Sequence, residues 1–380
     1  MFNHKVQFNR HEIAGSFGDI GTDLPLIVGM IQAVNLNSAS VFIIFGVMQI
    51  ITGFLYGLPM PMQPLKAMAV LVITQKVSGE ILLGAGLAIG AVMLVLTLSG
   101  ALDWLARLIP LCVVRGIQFG LGLSLASLAL KTYIPSAGIL GYIFAGVGFL
   151  IMMTIPRTNR LPAGLLVIGL GFLYAVVFKL KLGSIVAGIG LALPQLHQPT
   201  WADVLTGFVI LALPQLPLSI SNSVIATQQT IKDLFPEKKI SIGRIGLSYS
   251  LINLVVPFFS GIPVCHGCGG LAGHYALGAR TGGSVVVYGS MYLLIGLFFS
   301  QVFSEVVKVF PQPILGVVLL FESLTLLSFI GDQAASKQNL MIALIVGVLA
   351  FSVPQGYIVG LLVGTGLYYS SAKMSFLTQK

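Results

Sequence analysis

Apolar runs long enough to cross a lipid bilayer recur from residue 15 to residue 372, separated only by short charged or Pro/Gly-rich breaks. About 20 apolar residues of helix span the hydrocarbon core, where a backbone must satisfy its own hydrogen bonds. Only 8% of the residues are charged and 56% are hydrophobic, with a mean hydropathy of +0.99. A soluble surface needs roughly 25% charged residues, so the soluble two- or three-domain protein that 380 residues would otherwise allow is excluded. The expectation is an all-α polytopic protein integral to the cell inner or plasma membrane, with the lipid bilayer as its first partner. The net charge of +9 does not point to nucleic acid, because the basic residues stand singly at the ends of apolar runs. A signal-peptide core over 13–33 is disfavoured by Asp19 and Asp23 and by the lack of a small-residue cleavage site. That stretch reads as a retained first helix.

Cutting at the breaks gives segments near 15–33, 38–56, 64–75, 81–101, 111–130, 137–154, 162–180, 203–228, 243–260, 267–279, 284–303, 312–330, 338–353 and 355–372. The third and tenth of these fourteen are short. With a cytoplasmic N-terminus, loops alternate so that Lys5, Arg10, Arg107, Arg115, Arg157, Arg160, Lys232, Lys238, Lys239, Arg244, Arg280, Lys337, Lys373 and Lys380 lie inside. Only Lys76, Lys131, Lys179, Lys181 and Lys308 lie outside. That bias predicts two cytoplasmic termini.

The two short segments are seven apart, and each follows nearly the same phrase, Gly57-Leu58-Pro59-Met60 and Gly261-Ile262-Pro263-Val264, at an offset of 204 residues. Gln49 matches Asn253 and Phe54 matches Phe258 at that offset; Leu24-Pro25-Leu26 matches Leu216-Pro217-Leu218 at 192, and Ile109-Pro110 matches Phe310-Pro311 at 201. Their common order predicts a seven-plus-seven inverted repeat, 1–182 and 203–380, joined by a linker at 183–202. The change of offset is absorbed by the charged loop from Lys232 to Arg244.

Short, Pro/Gly-interrupted segments at matching positions of inverted halves point to a transporter site, because broken helices place their N-termini at the midplane. Pro59, Pro61 and Pro64 exclude regular helix before Lys66, so 58–63 is expected to be extended, with a half-helix starting near Pro64. Gly267, Gly269 and Gly270 are expected to do the matching job in segment ten, their backbone N–H groups approaching an anion. Lys66 stands inside an apolar segment, where a cation is costly unless it meets an anion or water. With about +0.5 from each helix N-terminus, the cavity carries about +2, suited to a small dianion.

The phrases GSFGDIGTDLP over 15–25, PMPMQPLKA over 59–67, VRGIQ over 114–118 and CHGCGGLAGH over 265–274 resemble the molybdate transporter family of the sulfate permease superfamily. The likeness runs from about residue 11 to 372. It implies the fourteen-span fold with core and gate domains shared with uracil permeases, and oxyanion transport. Sulfate permeases continue into a cytoplasmic regulatory domain after the last span; this chain stops at Lys380, as the molybdate branch does.

Asp19 and Asp23, four apart on one helical face with Thr22 beside them, are candidates for accepting a coupling proton or balancing Lys66; capping of an unwound turn at Gly18 and Gly21 is the alternative. Glu322 is a further protonatable candidate, with pairing to Arg115 or a bond to backbone as the alternatives. Gln63, Gln215, Asn222, His266 and Cys268 join the expected substrate ligands, and Ser219 and Ser221 extend the polar face of segment eight. Cys265 and Cys268 form a zinc-like half-site with no second half, Cys112 and His274 being the only other ligands near in sequence terms. No metal or other cofactor is expected. Arg115 and Arg280 read as interface anchors. No nucleotide-binding loop or hydrolase elbow occurs, so an enzyme is not expected.

The leading expectation is a secondary transporter of a tetrahedral oxyanion by alternating access, molybdate first and sulfate second. A nucleobase permease of the same fold would prefer a glutamate where this chain has Cys-His-Gly-Cys, and an anion channel is the reading of another class. A homodimer is left open. Inward movement of a dianion is opposed by about 4.6 kcal/mol at 100 mV, so proton coupling is expected, with Asp19→Asn uncoupling more than Glu322→Gln.

Overall fold

The structure of the chain, a computed structural model, describes residues 6–155, 163–178 and 188–370. Residues 183–187 of the expected linker, and Lys5, Arg157, Arg160, Lys179, Lys181, Lys373 and Lys380 of the charge count, lie outside the described residues. The helices that build the site are α1 (Ile20–Val34), α2 (Ser38–Tyr56), α3 (Lys66–Gln75), α4 (Leu111–Leu128), α5 (Trp201–Leu234), α6 (Ile242–Val255), α7 (Cys268–Ala276), α8 (Gly283–Phe298) and α9 (Gln312–Ser328). Two short strands, β1 (Met62–Pro64) and β2 (Val264–His266), precede α3 and α7.

Among the described residues six helices are long and apolar enough to cross a membrane, or seven if α8 and Ser300–Val309, which meet at 95°, form one broken span. Ile20–Val34, Lys66–Gln75, Ala163–Phe178 and Lys337–Ser352 are apolar but shorter. Two expected spans, 111–130 and 137–154, belong to one helical stretch, Leu111–Thr154, joined through a π turn and a 3-10 turn. Leu98, Ile139 and Phe178 are each at least 72% exposed, as lipid-facing side chains are.

Helix α2 lies on α8, and Gly79–Leu98 lies on α5 and α6; α4 lies on α9 and on Lys337–Ser352. Helix α1 touches both α3 and α9. The expected first span, 15–33, starts later than its apolar run, because α1 begins at Ile20 with Asp19 in its N-cap position, after a separate short helix, Arg10–Gly15. Between them Gly18 lies backbone to backbone against Gly273 of α7, where a Cβ on either residue would collide with the other. Glu12 closes this corner: its carboxylate accepts the N–H groups of Arg280, Thr281 and Ser284 at 2.9, 2.9 and 3.0 Å.

At the centre β1 and β2 pair antiparallel, Met62 with His266, Gln63 with Cys265 and Pro64 with Val264, all buried. The half-helix therefore starts at Lys66 and not at Pro64, which is the last strand residue. Proline offers no N–H to a ladder and pushes the residue before it into extended geometry, so the strand ends there. Extended backbone at this depth needs outside partners. Gln49 on α2 supplies them to Met62, and Asn253 on α6 supplies them to Val264. Strand starts Met62 and Val264, and helix starts Lys66 and Cys268, both stand 202 residues apart. Further on, Pro110 and Pro311 cap α4 and α9, each after a short helix, Ala101–Leu108 and Ser300–Val309, at an offset of 201.

Candidate functional site

The β1–β2 crossing aims two helix N-termini into the protein interior. Helix α3 opens after the extended Leu65, with no side-chain cap of its own; the N–H groups of Ala67 and Met68 instead donate to Gln215 Oε1 on α5 at 2.9 and 3.3 Å. Gln215 also donates to Ser219, which bonds Tyr249 at 2.8 Å. Helix α7 opens after Gly267. Here the glycines are contact surfaces: a Cβ on Gly267 would strike the Gln63 amide, and one on Gly270 would strike the Asp19 carboxylate and Pro61. Gly269 differs, since it is exposed and a Cβ there meets nothing within 4 Å.

Lys66, the first residue of α3, is 6% exposed and places its ammonium 2.5 Å from Glu322 Oε1 on α9. The other carboxylate oxygen of Glu322 accepts from Thr22 Oγ1 at 3.1 Å. Arg115 does not take part: its guanidinium pairs with Asp332, bonds Gln118 at 3.0 Å and lies over the Phe329 ring. The alternative of an Arg115–Glu322 pair is thereby corrected, because Asp332, at the end of α9's 3-10 extension, reaches the guanidinium first.

Asp19 and Asp23 are both buried. Gln63 Nε2 donates to Asp19 Oδ1 at 2.6 Å and Tyr288 donates to Asp23 Oδ2 at 3.1 Å. Among the described residues, Asp19 Oδ2, Asp23 Oδ1 and Gln63 Oε1 have no hydrogen-bond partner. Asp19 is the N-cap residue of α1 but makes no side-chain cap bond, so capping is not what holds it there.

Asn222, in the π-helical part of α5, gathers Gln118 Nε2 at 2.8 Å and the Cys268 thiol at 3.3 Å on its Oδ1. Ser221 is buried beside it with its hydroxyl unpartnered. The His266 imidazole is committed to Ser248 at 2.7 Å and packs edge-on against Tyr56, while its carbonyl accepts from Thr227. Arg280 donates to the carbonyls of Tyr275 and Ala279. The geometry thus brings Lys66, Thr22, Glu322, Gln63, Asp19, Gln215 and the starts of α3 and α7 together. A cavity of about 430 Å³ adjoins α3, lined by Ala67, Val70, Gln75, Ser124, Gln355 and Tyr357 among others.

Sequence reasoning missed Tyr288, Gln118 and the clamp formed by Gln49 and Asn253. The available signal was the same for all four, a hydrogen-bonding side chain inside an apolar run.

The chain matches the family described as "Molybdate transporter of MFS superfamily" over residues 11–125 and 207–326. It is 32% identical over 382 residues to Molybdate transporter 2 of Arabidopsis thaliana, covering 88% of this chain and 81% of that one. It is 28% identical over 479 residues to Molybdate transporter 1 of Chlamydomonas reinhardtii, covering 94% and 91%. Among solved structures, the fold is similar to murine Slc26a9 in the inward-facing state, with a TM-score of 0.74 at 14% identity over 100% of this chain and 70% of that one. It is also similar to the transmembrane domain of the cyanobacterial bicarbonate transporter BicA, with a TM-score of 0.71 at 16% identity over 96% and 100%. The chain belongs to the molybdate transporter family, an integral membrane protein of mostly helical, SLC26-like fold, and its relatives are named as transporters, not enzymes.

Proposed function

We propose that this member of the molybdate transporter family is a secondary transporter of a tetrahedral oxyanion, molybdate first and sulfate second, working by alternating access. The observation that carries the reading is the convergence of Lys66 and two buried half-helix N-termini on the β1–β2 crossing. Each helix start presents about half a positive charge, and Lys66 adds a full one. Relatives named as molybdate transporters support molybdate over sulfate. Gln63, Lys66, Thr22, Gln215 and the backbone of residues 267–270 are the proposed ligands, with Asn222, His266 and Cys268 positioning that backbone.

The two halves, 1–182 and 203–380, are proposed to be inverted repeats of seven spans each, giving fourteen. The recurring offsets of 201, 202 and 204 residues support this, as does the identical role of Gln49 and Asn253. Two cytoplasmic termini and proton-coupled uptake complete the proposal; the basic-residue bias supports the first. Calorimetric binding of molybdate to the purified protein, with sulfate as competitor, tests the whole. Saturable molybdate binding that sulfate displaces only in excess is expected. If neither anion binds, the oxyanion reading is lost.

A further inference from the structure

We infer that the Glu322 carboxylate is a tethered stand-in for the transported oxyanion, holding the Lys66 ammonium and the Thr22 hydroxyl that the substrate must take over. This rests on the reading of Lys66 as the anion ligand. The two oxygens of Glu322 are used separately, Oε1 on Lys66 and Oε2 on Thr22, as neighbouring oxygens of a bound oxyanion would be. Lys66 and Thr22 belong to α3 and α1, which pack on each other, whereas Glu322 reaches in from α9, which packs on α1 and on α4. An oxyanion bridging Lys66 and Thr22 therefore excludes Glu322 and breaks the ion pair that ties α9 to α3, while α9 stays packed on α1. Site occupancy and this latch between helices exclude one another.

The exchange also sets a threshold for the ligand. Lys66 and Glu322 cancel in formal charge, so an incoming anion must outcompete a carboxylate held in place at high effective concentration. A dianion does so more readily than a monoanion. The displaced carboxylate is only 18% exposed, and left ionised it would put three negative charges against Lys66. One proton from solution binding a Glu322 oxygen leaves the dianion alone against Lys66 and the two helix starts, together about +2, while Lys66 stays an ammonium and no other bond is made or broken. Among the described residues, the charged and titratable groups facing Glu322 are Lys66 on α3, Asp19 at the start of α1 and the Cys268 thiol at the start of α7. Among the described residues Glu322 is the carboxylate ion-paired to Lys66, so it is the one whose charged partner the substrate removes.

The experiment is calorimetric titration of purified full-length protein with molybdate in two buffers of different ionisation enthalpy, for wild type, E322Q, E322A and K66A. Removing the tethered competitor is expected to tighten binding by about tenfold or more in both Glu322 variants. Wild type is expected to take up about one proton per molybdate, and E322Q none. Unchanged or weaker binding in both Glu322 variants, or equal proton uptake in wild type and E322Q, overturns the inference. Wild-type binding by K66A would instead overturn the site reading beneath it, so the two failures are separate.

Discussion

Asn253 holds Val264 as Gln49 holds Met62. In each case one side-chain amide donates to the strand residue's carbonyl at 2.7 Å and accepts from its N–H at 2.9 Å. Both amides are fully buried, so no water stands ready to replace them. Each clamp fixes the strand that aims a half-helix at the site.

Gln49→Leu and Asn253→Leu should therefore destabilise the protein by similar amounts, since each strands a buried N–H and a buried C=O at about 1–3 kcal/mol apiece. Thermal midpoints of the purified variants measure this. Two wild-type midpoints would mean that the strands are held by something else.

Lys66→Ala should nearly abolish molybdate binding, and Lys66→Arg should retain part of it with altered selectivity, because a planar guanidinium replaces a point charge. Equilibrium binding reads both. If both variants bound like wild type, Lys66 would be structural and the site misplaced.

The two glycines at the start of α7 should behave differently. Gly270→Val drives a side chain into Asp19 and Pro61 and should lower the yield of folded protein. Gly269→Val meets open space, so it should fold normally and lose uptake by covering the backbone donors. Undiminished uptake by folded Gly269→Val would remove that backbone from the substrate path.

Glu12→Ala removes the acceptor of three backbone N–H groups at the start of α8 and should cost about 2 kcal/mol or more. Molybdate affinity should stay at the wild-type value. A large affinity change without a stability change would tie this corner to the site itself.

Uptake into proteoliposomes at clamped voltage should quicken as external pH falls, since a dianion entering a negative interior needs about 4.6 kcal/mol at 100 mV. Glu322→Gln should flatten this response more than Asp19→Asn, the reverse of the order expected from the sequence, because Glu322 is the carboxylate on Lys66. Flux indifferent to the pH gradient in wild type would leave sodium coupling or anion exchange.

The solvent and the break points follow from composition and local steric rules alone. Burying so many apolar runs leaves a membrane as the only home for the chain, and Pro59, Pro61 and Pro64 deny helix before Lys66 whatever surrounds them. The matched phrases at 57–60 and 261–264 likewise told where the second break lies, because proline and glycine act locally. Partners were another matter. That Lys66 meets Glu322 and Arg115 meets Asp332 depends on how α3, α4 and α9 pack, across separations of 256 and 217 residues, and no local pattern ranks one carboxylate above another at that range. The same holds for Gln49 and Asn253: their match at an offset of 204 was legible, but their grip on the strands was not. The helix start fell two residues later than proline preference alone placed it, because pairing with β2 claimed Pro64 for the strand. Local steric rules act on a residue and its neighbours, whereas an ion pair in a low-dielectric interior is chosen by whichever charges the packing brings within reach.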